Sequence, residues 1–238
     1  MAINKDDSSQ WRGLFKLSGF AAMAIAILLV GEIVVFAALP SIGAPAQLLS
    51  DFSQNRFFGL LRFDLLGMIS YALFIPVILA VCLLLRRSSA SLALVGAALF
   101  VVAISIFFST NTGFAVASLS EQYKTAGSDA ERAMLLAACQ SMITMFKVNT
   151  FMLSYVVFSV SWIVISIAML KSDHFGKPTS WAGIAAGACG IVAEIAEHAS
   201  AHFKWIAIAL YFAAIVFLLF WILSVGLRLH KSALPSAK

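Results

Sequence analysis

The chain has 238 residues, 62% of them hydrophobic and 11% charged, with a formal net charge of +5. An ordinary soluble domain is about 45–50% apolar and roughly 25% charged. With a mean hydropathy of +0.98 there is too little polar surface to clothe a water-exposed core, so a soluble globular fold is excluded and the bilayer is the solvent for most of the chain.

Six apolar stretches are long enough to cross a hydrocarbon core of about 30 Å as helices. They cover about 16–39, 63–85, 91–118, 149–170, 181–198 and 205–227. The first meets Pro40, which can neither donate a backbone hydrogen bond nor continue a helix. That stretch is also longer than the roughly 7–15 residue apolar region of a cleaved signal peptide. Arg86 and Arg87 close the second, and Pro76 lies inside it. Trp181 and Trp205 stand at span ends, where indole favours the interface. Between the third and fourth spans, Ser128 followed by Glu131 reads as a capping box, with Asp129 and Glu131 also favouring the positive end of the helix dipole. Met134, Leu135, Ala138, Met142 and Met145 then recur at helical spacing, which predicts an amphipathic helix over 128–146. No glycine or proline interrupts the chain between Gly127 and Gly176. This helix can therefore lie flat on one leaflet or run straight into the fourth span as one helix of about 60 Å. The expected fold class is all-α: residues 1–238 form a single integral membrane domain, a polytopic bundle of six transmembrane helices with an additional amphipathic helix before the fourth span.

An even number of spans puts both termini on one side. That side collects Lys5, Arg12, Lys16, Arg86, Arg87, Lys171, Lys177, Arg228, Lys231 and Lys238, against Arg56, Arg62, Lys124, Arg132, Lys147 and Lys204 on the other. The excess of basic residues predicts cytoplasmic termini. The basic residues sit at the ends of apolar segments, not in clusters, so the expected partner is the lipid bilayer and not nucleic acid. Cys82, Cys139 and Cys189 have no CxxC spacing and form no readable disulfide framework. His174 and His230 fall in predicted cytoplasmic segments and read as solvated.

The second span with its approach, "FFGLLRFDLLGMISYALFIPVILAVCLLLRR", the polar "STNTG" late in the third, and "TAGSDAERAMLLAACQSM" before the fourth together resemble a domain-of-unknown-function family of bacterial six-helix membrane proteins. The likeness runs from about Gly13 to Leu227 and is strongest from Phe57 to Met142. It implies a six-helix membrane fold and a multi-pass location in the bacterial plasma (inner) membrane, and it carries no activity.

Ionisable groups inside a span cost about 2.5–3.5 kcal/mol at the helix centre on insertion scales, so they face the bundle interior or water. Ionisable and strongly polar groups are few here: Glu32 in the first span, Arg62 and Asp64 opening the second, the amide of Asn111 in the third, Lys147 and the amide of Asn149 at the start of the fourth, and Glu194, Glu197 and His198 ending the fifth. All fall in the half of the bundle remote from the termini, and they are the candidate pocket residues. Gly183, Gly187, Gly190, Glu194 and Glu197 follow one helical stripe, which predicts a close-packed face ending in two acids. Lys147, Thr150, Ser154 and Ser161 are expected to share a side of the fourth span, with Lys147 as internal counter-ion. If Glu32, Asp64, Glu194 and Glu197 all point inward, they outnumber Arg62 and Lys147. An outward-facing acidic site is then expected to bind or pass a cation or a small cationic molecule, or to hold His198 protonated.

Two other readings fit the same residues. Glu194, His198 and His202 at successive turns, joined by Asp64 or Glu32, have ligand types suited to zinc, as in a metal-dependent intramembrane hydrolase. HxxxH lacks the glutamate of HExxH, and no phosphate-binding glycine loop or GxSxG motif occurs. The other reading is an accessory or structural subunit, held to a membrane protein partner or to a second copy of itself by interhelical hydrogen bonds among the polar groups.

Overall fold

The structure is a computed structural model that describes residues 5–39 and 42–233; Pro40, Lys238 and the side chains of residues 5–9 and of Ala201 lie outside the described residues. The helices are α1 (Lys5–Ala38), α2 (Pro45–Gln54), α3 (Arg56–Arg62), α4 (Leu65–Leu85), α5 (Ala90–Thr110), α6 (Gly113–Thr125), α7 (Asp129–Met145), α8 (Ser154–Leu170), α9 (Lys177–Ala199) and α10 (Lys204–Ala233). A π-helical segment, Phe146–Leu153, joins α7 to α8, and a 3₁₀ turn, Ala201–Phe203, joins α9 to α10.

Six of the described helical segments are long and apolar enough to cross a membrane: Gln10–Ala38, Leu65–Leu85, Ala90–Thr125, Asp129–Leu170, Lys177–Ala199 and Lys204–Ala233. Each overlaps an expected span, the third running on to Thr125 and the fourth taking in the expected amphipathic helix as well, and α4 runs through Pro76. The spanning helices close into a ring in which α1 packs on α4, α4 on α5, α5 on α8, α8 on α9, α9 on α10 and α10 back on α1. Polar links pin the ring at several points. Ser18 donates to the Pro76 carbonyl at 2.8 Å, and Ser161 donates to the Gly96 carbonyl at 2.8 Å. The glycine stripe of α9 lets α8 approach closely. A Cβ at Gly187 would stand 2.5 Å from the Ser159 carbonyl oxygen, so only glycine fits that crossing.

The ring is filled, not hollow. Tyr71 stacks on Phe158 with ring centroids 4.2 Å apart, and Phe100 meets Phe158 at 5.2 Å. Phe74 and Trp162 continue the stack toward the terminal end at 6.1 Å.

A second apolar core lies at the end remote from the termini. Leu48, Leu49 and Phe52 of α2 meet Val116 and Leu119 of α6 and Cys139, Ile143 and Phe146 of the α7 segment, around Phe63. The third apolar stretch breaks at Asn111, which lets α6 depart from the line of α5 and join this cap. The helix start at Ser128 is present: Ser128 Oγ accepts from the Glu131 amide at 3.2 Å. The return bond is made one residue early, from the Gly127 amide to Glu131 at 2.9 Å.

Residues 129–170 form one helical run of 42 residues, about 60 Å long and twice the hydrocarbon thickness, so α7 projects as part of the cap. Its buried face passes through Cys139, Ile143 and Phe146, while Met134 and Met145 are exposed. The expected stripe is thus rotated by about one residue. The cause is that α7 is gripped from two sides by α2 and α6, where a flat leaflet would have held it from one.

Candidate functional site

The ionisable residues of the spans gather above the aromatic stack, at the cap end of the ring. Glu32 on α1 accepts a hydrogen bond from Ser70 Oγ on α4 at 3.0 Å. One and a half turns before Ser70, Asp64 caps α4: Oδ1 accepts from the Gly67 amide at 3.0 Å. Asp64 has φ 57°, the left-handed conformation that aspartate tolerates better than most residues because its carboxylate can bond locally. That turn redirects the chain from α3 into α4 and leaves Asp64 6% exposed, within charge–charge range of Glu32. On the far side of the ring Glu194, also 6% exposed, ends the glycine stripe of α9. Tyr211 on α10 lies within interaction range of its carboxylate.

Tyrosines join the two groups. Tyr71 lies within electrostatic range of both Asp64 and Glu32, and Tyr155 within range of both Glu32 and Glu194. Tyr155 and Tyr211 meet edge to face at 6.1 Å. Gly190 makes room for Tyr155, since a Cβ there would lie 3.0 Å from its Cε1. Three carboxylates and three of the chain's four tyrosines therefore form one polar layer. Among the described residues no lysine or arginine forms an ion pair with Glu32, Asp64 or Glu194.

The remaining sequence candidates lie outside this layer. Arg62 is paired with Asp51 of α2 at 2.5 Å, inside the cap. Asn111 donates to the Phe63 carbonyl at 2.7 Å and holds the corner below the cap. Lys147 is exposed, whereas Thr150, Ser154 and Ser161 are buried. The shared face expected for these four ends at Thr150 because the π segment takes an extra residue per turn and swings Lys147 outward. The internal counter-ion expected there is absent from the layer. Asn149 is half-buried in the same segment. Glu197 continues the stripe but is exposed, in the last turn of α9 beyond the buried residues. His198 stands at the rim: its Nδ1 is 2.9 Å from the Glu194 carbonyl oxygen and 3.8 Å from the Glu194 carboxylate. His202 turns to Ser200 Oγ at 3.2 Å. Among the described residues no three His, Cys, Asp or Glu side chains are grouped as metal ligands.

Sequence reasoning passed over Tyr71, Tyr155 and Tyr211 because an aromatic in an apolar run reads as core. A phenol hydroxyl at membrane depth is nonetheless a polar group that needs a partner, and that was the available signal.

Six bilayer-length helices in a closed ring, carrying a polar layer at one end, define a polytopic membrane protein. The chain belongs to the family described as Domain of unknown function (DUF4386), which matches residues 15–226. No curated protein and no solved structure matches it.

Proposed function

We propose that the polar layer binds a cation, or the cationic group of a small molecule, that reaches it from the cap end. The observation that carries this reading is the gathering of Glu32, Asp64 and Glu194 around Tyr71, Tyr155 and Tyr211 with, among the described residues, no lysine or arginine paired to the acids and only His198 at the rim beside Glu194. Carboxylates at this depth need neutralising, and tyrosines offer both hydroxyl oxygens and π faces to a cation. The aromatic stack centred on Tyr71 and Phe158 fills the ring below the layer, which favours binding over passage. With the basic terminal end in the bacterial cytoplasm, the layer faces outward.

The test is thermal unfolding of the purified protein with Na⁺, K⁺, Mg²⁺, Ca²⁺ and tetramethylammonium titrated separately, for wild type and for Glu32→Gln and Glu194→Gln. A ligand bound only by the folded state stabilises it by about 2.7 kcal/mol at a hundredfold excess over Kd. One of the cations is expected to raise the wild-type midpoint, and each variant to blunt that rise. A wild-type midpoint that no cation moves, or variants that respond as wild type does, would refute the reading.

A further inference from the structure

At the opposite end of the bundle lies a cavity of about 340 Å³ between the α8–α9 turn and the last turns of α10. Lys177 and Glu194 are about 25 Å apart along α9 at 1.5 Å per residue, so this cavity is separate from the acidic layer. Arg228 and Lys231 supply its permanent positive charge; Thr179 and Ser224 line it with hydroxyls, and His174 closes one side. Among the described residues Asp173 is the one acid on its wall, and it forms no ion pair with Arg228 or Lys231. The described lining is therefore net positive. The first turn of α9 opens onto it at Thr179, and the helix dipole adds to the same sign.

The surroundings say what kind of anion fits. Leu227 both lines the cavity and is 54% exposed. Leu223 and Phe220, at 39% and 49%, continue that face of α10 toward the middle of the span at helical spacing. A basic, hydroxyl-lined cavity thus passes directly into an apolar stripe along a membrane helix. Basic pockets between spanning helices at the interface suit phosphate headgroups. Guanidinium matches two phosphate oxygens, and lysine serves as a point charge. We propose that this cavity binds a phosphate-bearing anion, supplied by the headgroup of an anionic phospholipid whose chain lies along Leu227, Leu223 and Phe220.

The experiment uses the full chain in phosphatidylcholine nanodiscs, with phosphatidylglycerol titrated in and retained lipid read by native mass spectrometry alongside the unfolding midpoint. Wild type is expected to retain phosphatidylglycerol and to melt higher with it. Arg228→Gln/Lys231→Gln is expected to lose roughly thirtyfold in apparent affinity, at about fivefold per cation. Both side chains are exposed, so this variant is expected to melt as wild type does in phosphatidylcholine alone. Lys171→Gln, an exposed lysine at the same end but outside the cavity, is expected to keep the lipid. Thr179→Val/Ser224→Ala, which leaves the charge intact, is expected to weaken retention as well. Equal retention by wild type and Arg228→Gln/Lys231→Gln, or an equal loss in Lys171→Gln, would overturn the site. Inorganic phosphate reproducing the whole midpoint shift in phosphatidylcholine discs would overturn the lipid as its source.

Discussion

The Asn111 amide donates to the Phe63 carbonyl at 2.7 Å, so one side chain ties the break between α5 and α6 to the corner between α3 and α4. Its oxygen accepts in turn from the Gly113 amide at 3.0 Å. Thr112 donates to the Met142 carbonyl at 3.0 Å, and the Thr110 and Thr150 hydroxyls lie 2.9 Å apart. These bonds fasten the cap to the ring at one level. Asn111→Ala leaves a carbonyl and an amide without their partner, a cost of about 1–3 kcal/mol. The expected result is a lower unfolding midpoint with faster protease cleavage in the α6–α7 connection.

The α8–α9 crossing depends on the missing side chain of Gly187. A methyl there would stand 2.5 Å from the Ser159 carbonyl oxygen and 2.6 Å from Ile163 Cγ1, and the backbone oxygen cannot rotate away. Gly187→Ala is expected to destabilise by about 1–3 kcal/mol through overpacking. Gly13→Ala is the comparison: nothing lies within 4 Å of its Cβ position, and it is expected to be neutral or mildly stabilising. Thermal unfolding of the two single variants beside wild type measures the difference.

His174 is held below the usual histidine range, first by burial and then by the nearby Arg228, against the opposing pull of Asp173. The unfolded chain therefore takes up the His174 proton at a higher pH than the folded one. The sign follows from linkage: this contribution to stability is intact above about pH 6.5 and declines as the pH falls through the unfolded value toward the folded one. His174→Gln is expected to flatten that part of the decline when midpoints are compared between pH 8 and 5. Phosphatidylglycerol in the adjacent cavity is expected to oppose the decline in wild type, because an anion beside the imidazole favours its charged form.

Orientation is open to labelling. The excess of lysine and arginine at the terminal end predicts that a cysteine at Gln122 or Ser128, in the cap, reacts with a membrane-impermeant maleimide added outside. One at Ser89, in the α4–α5 turn, is expected to be spared. The reverse pattern would invert the topology and turn the acidic layer toward the cytoplasm.

The six spans, the helix start at Ser128 and the amphipathic character of α7 were legible in the sequence because each is a local property. A helix in lipid satisfies its own backbone hydrogen bonds, so length and hydropathy suffice to locate it. A cap bond reaches only to the next turn. The glycine stripe through Gly183, Gly187 and Gly190 could be read for the same reason, since one helix carries all of it. What faces what was decided by contacts between helices. The π segment before α8 removed Lys147 from the face shared by Thr150 and Ser154, and Glu197, in the last turn of α9, stayed exposed while Glu194, one turn earlier, was buried. The meeting of Glu32, Asp64 and Glu194 over Tyr71, Tyr155 and Tyr211 draws on α1, α4, α8, α9 and α10 and the residue that caps α4. No periodicity within one helix encodes such a meeting, because the order in which helices close a ring is set by side-chain packing across chain-distant surfaces.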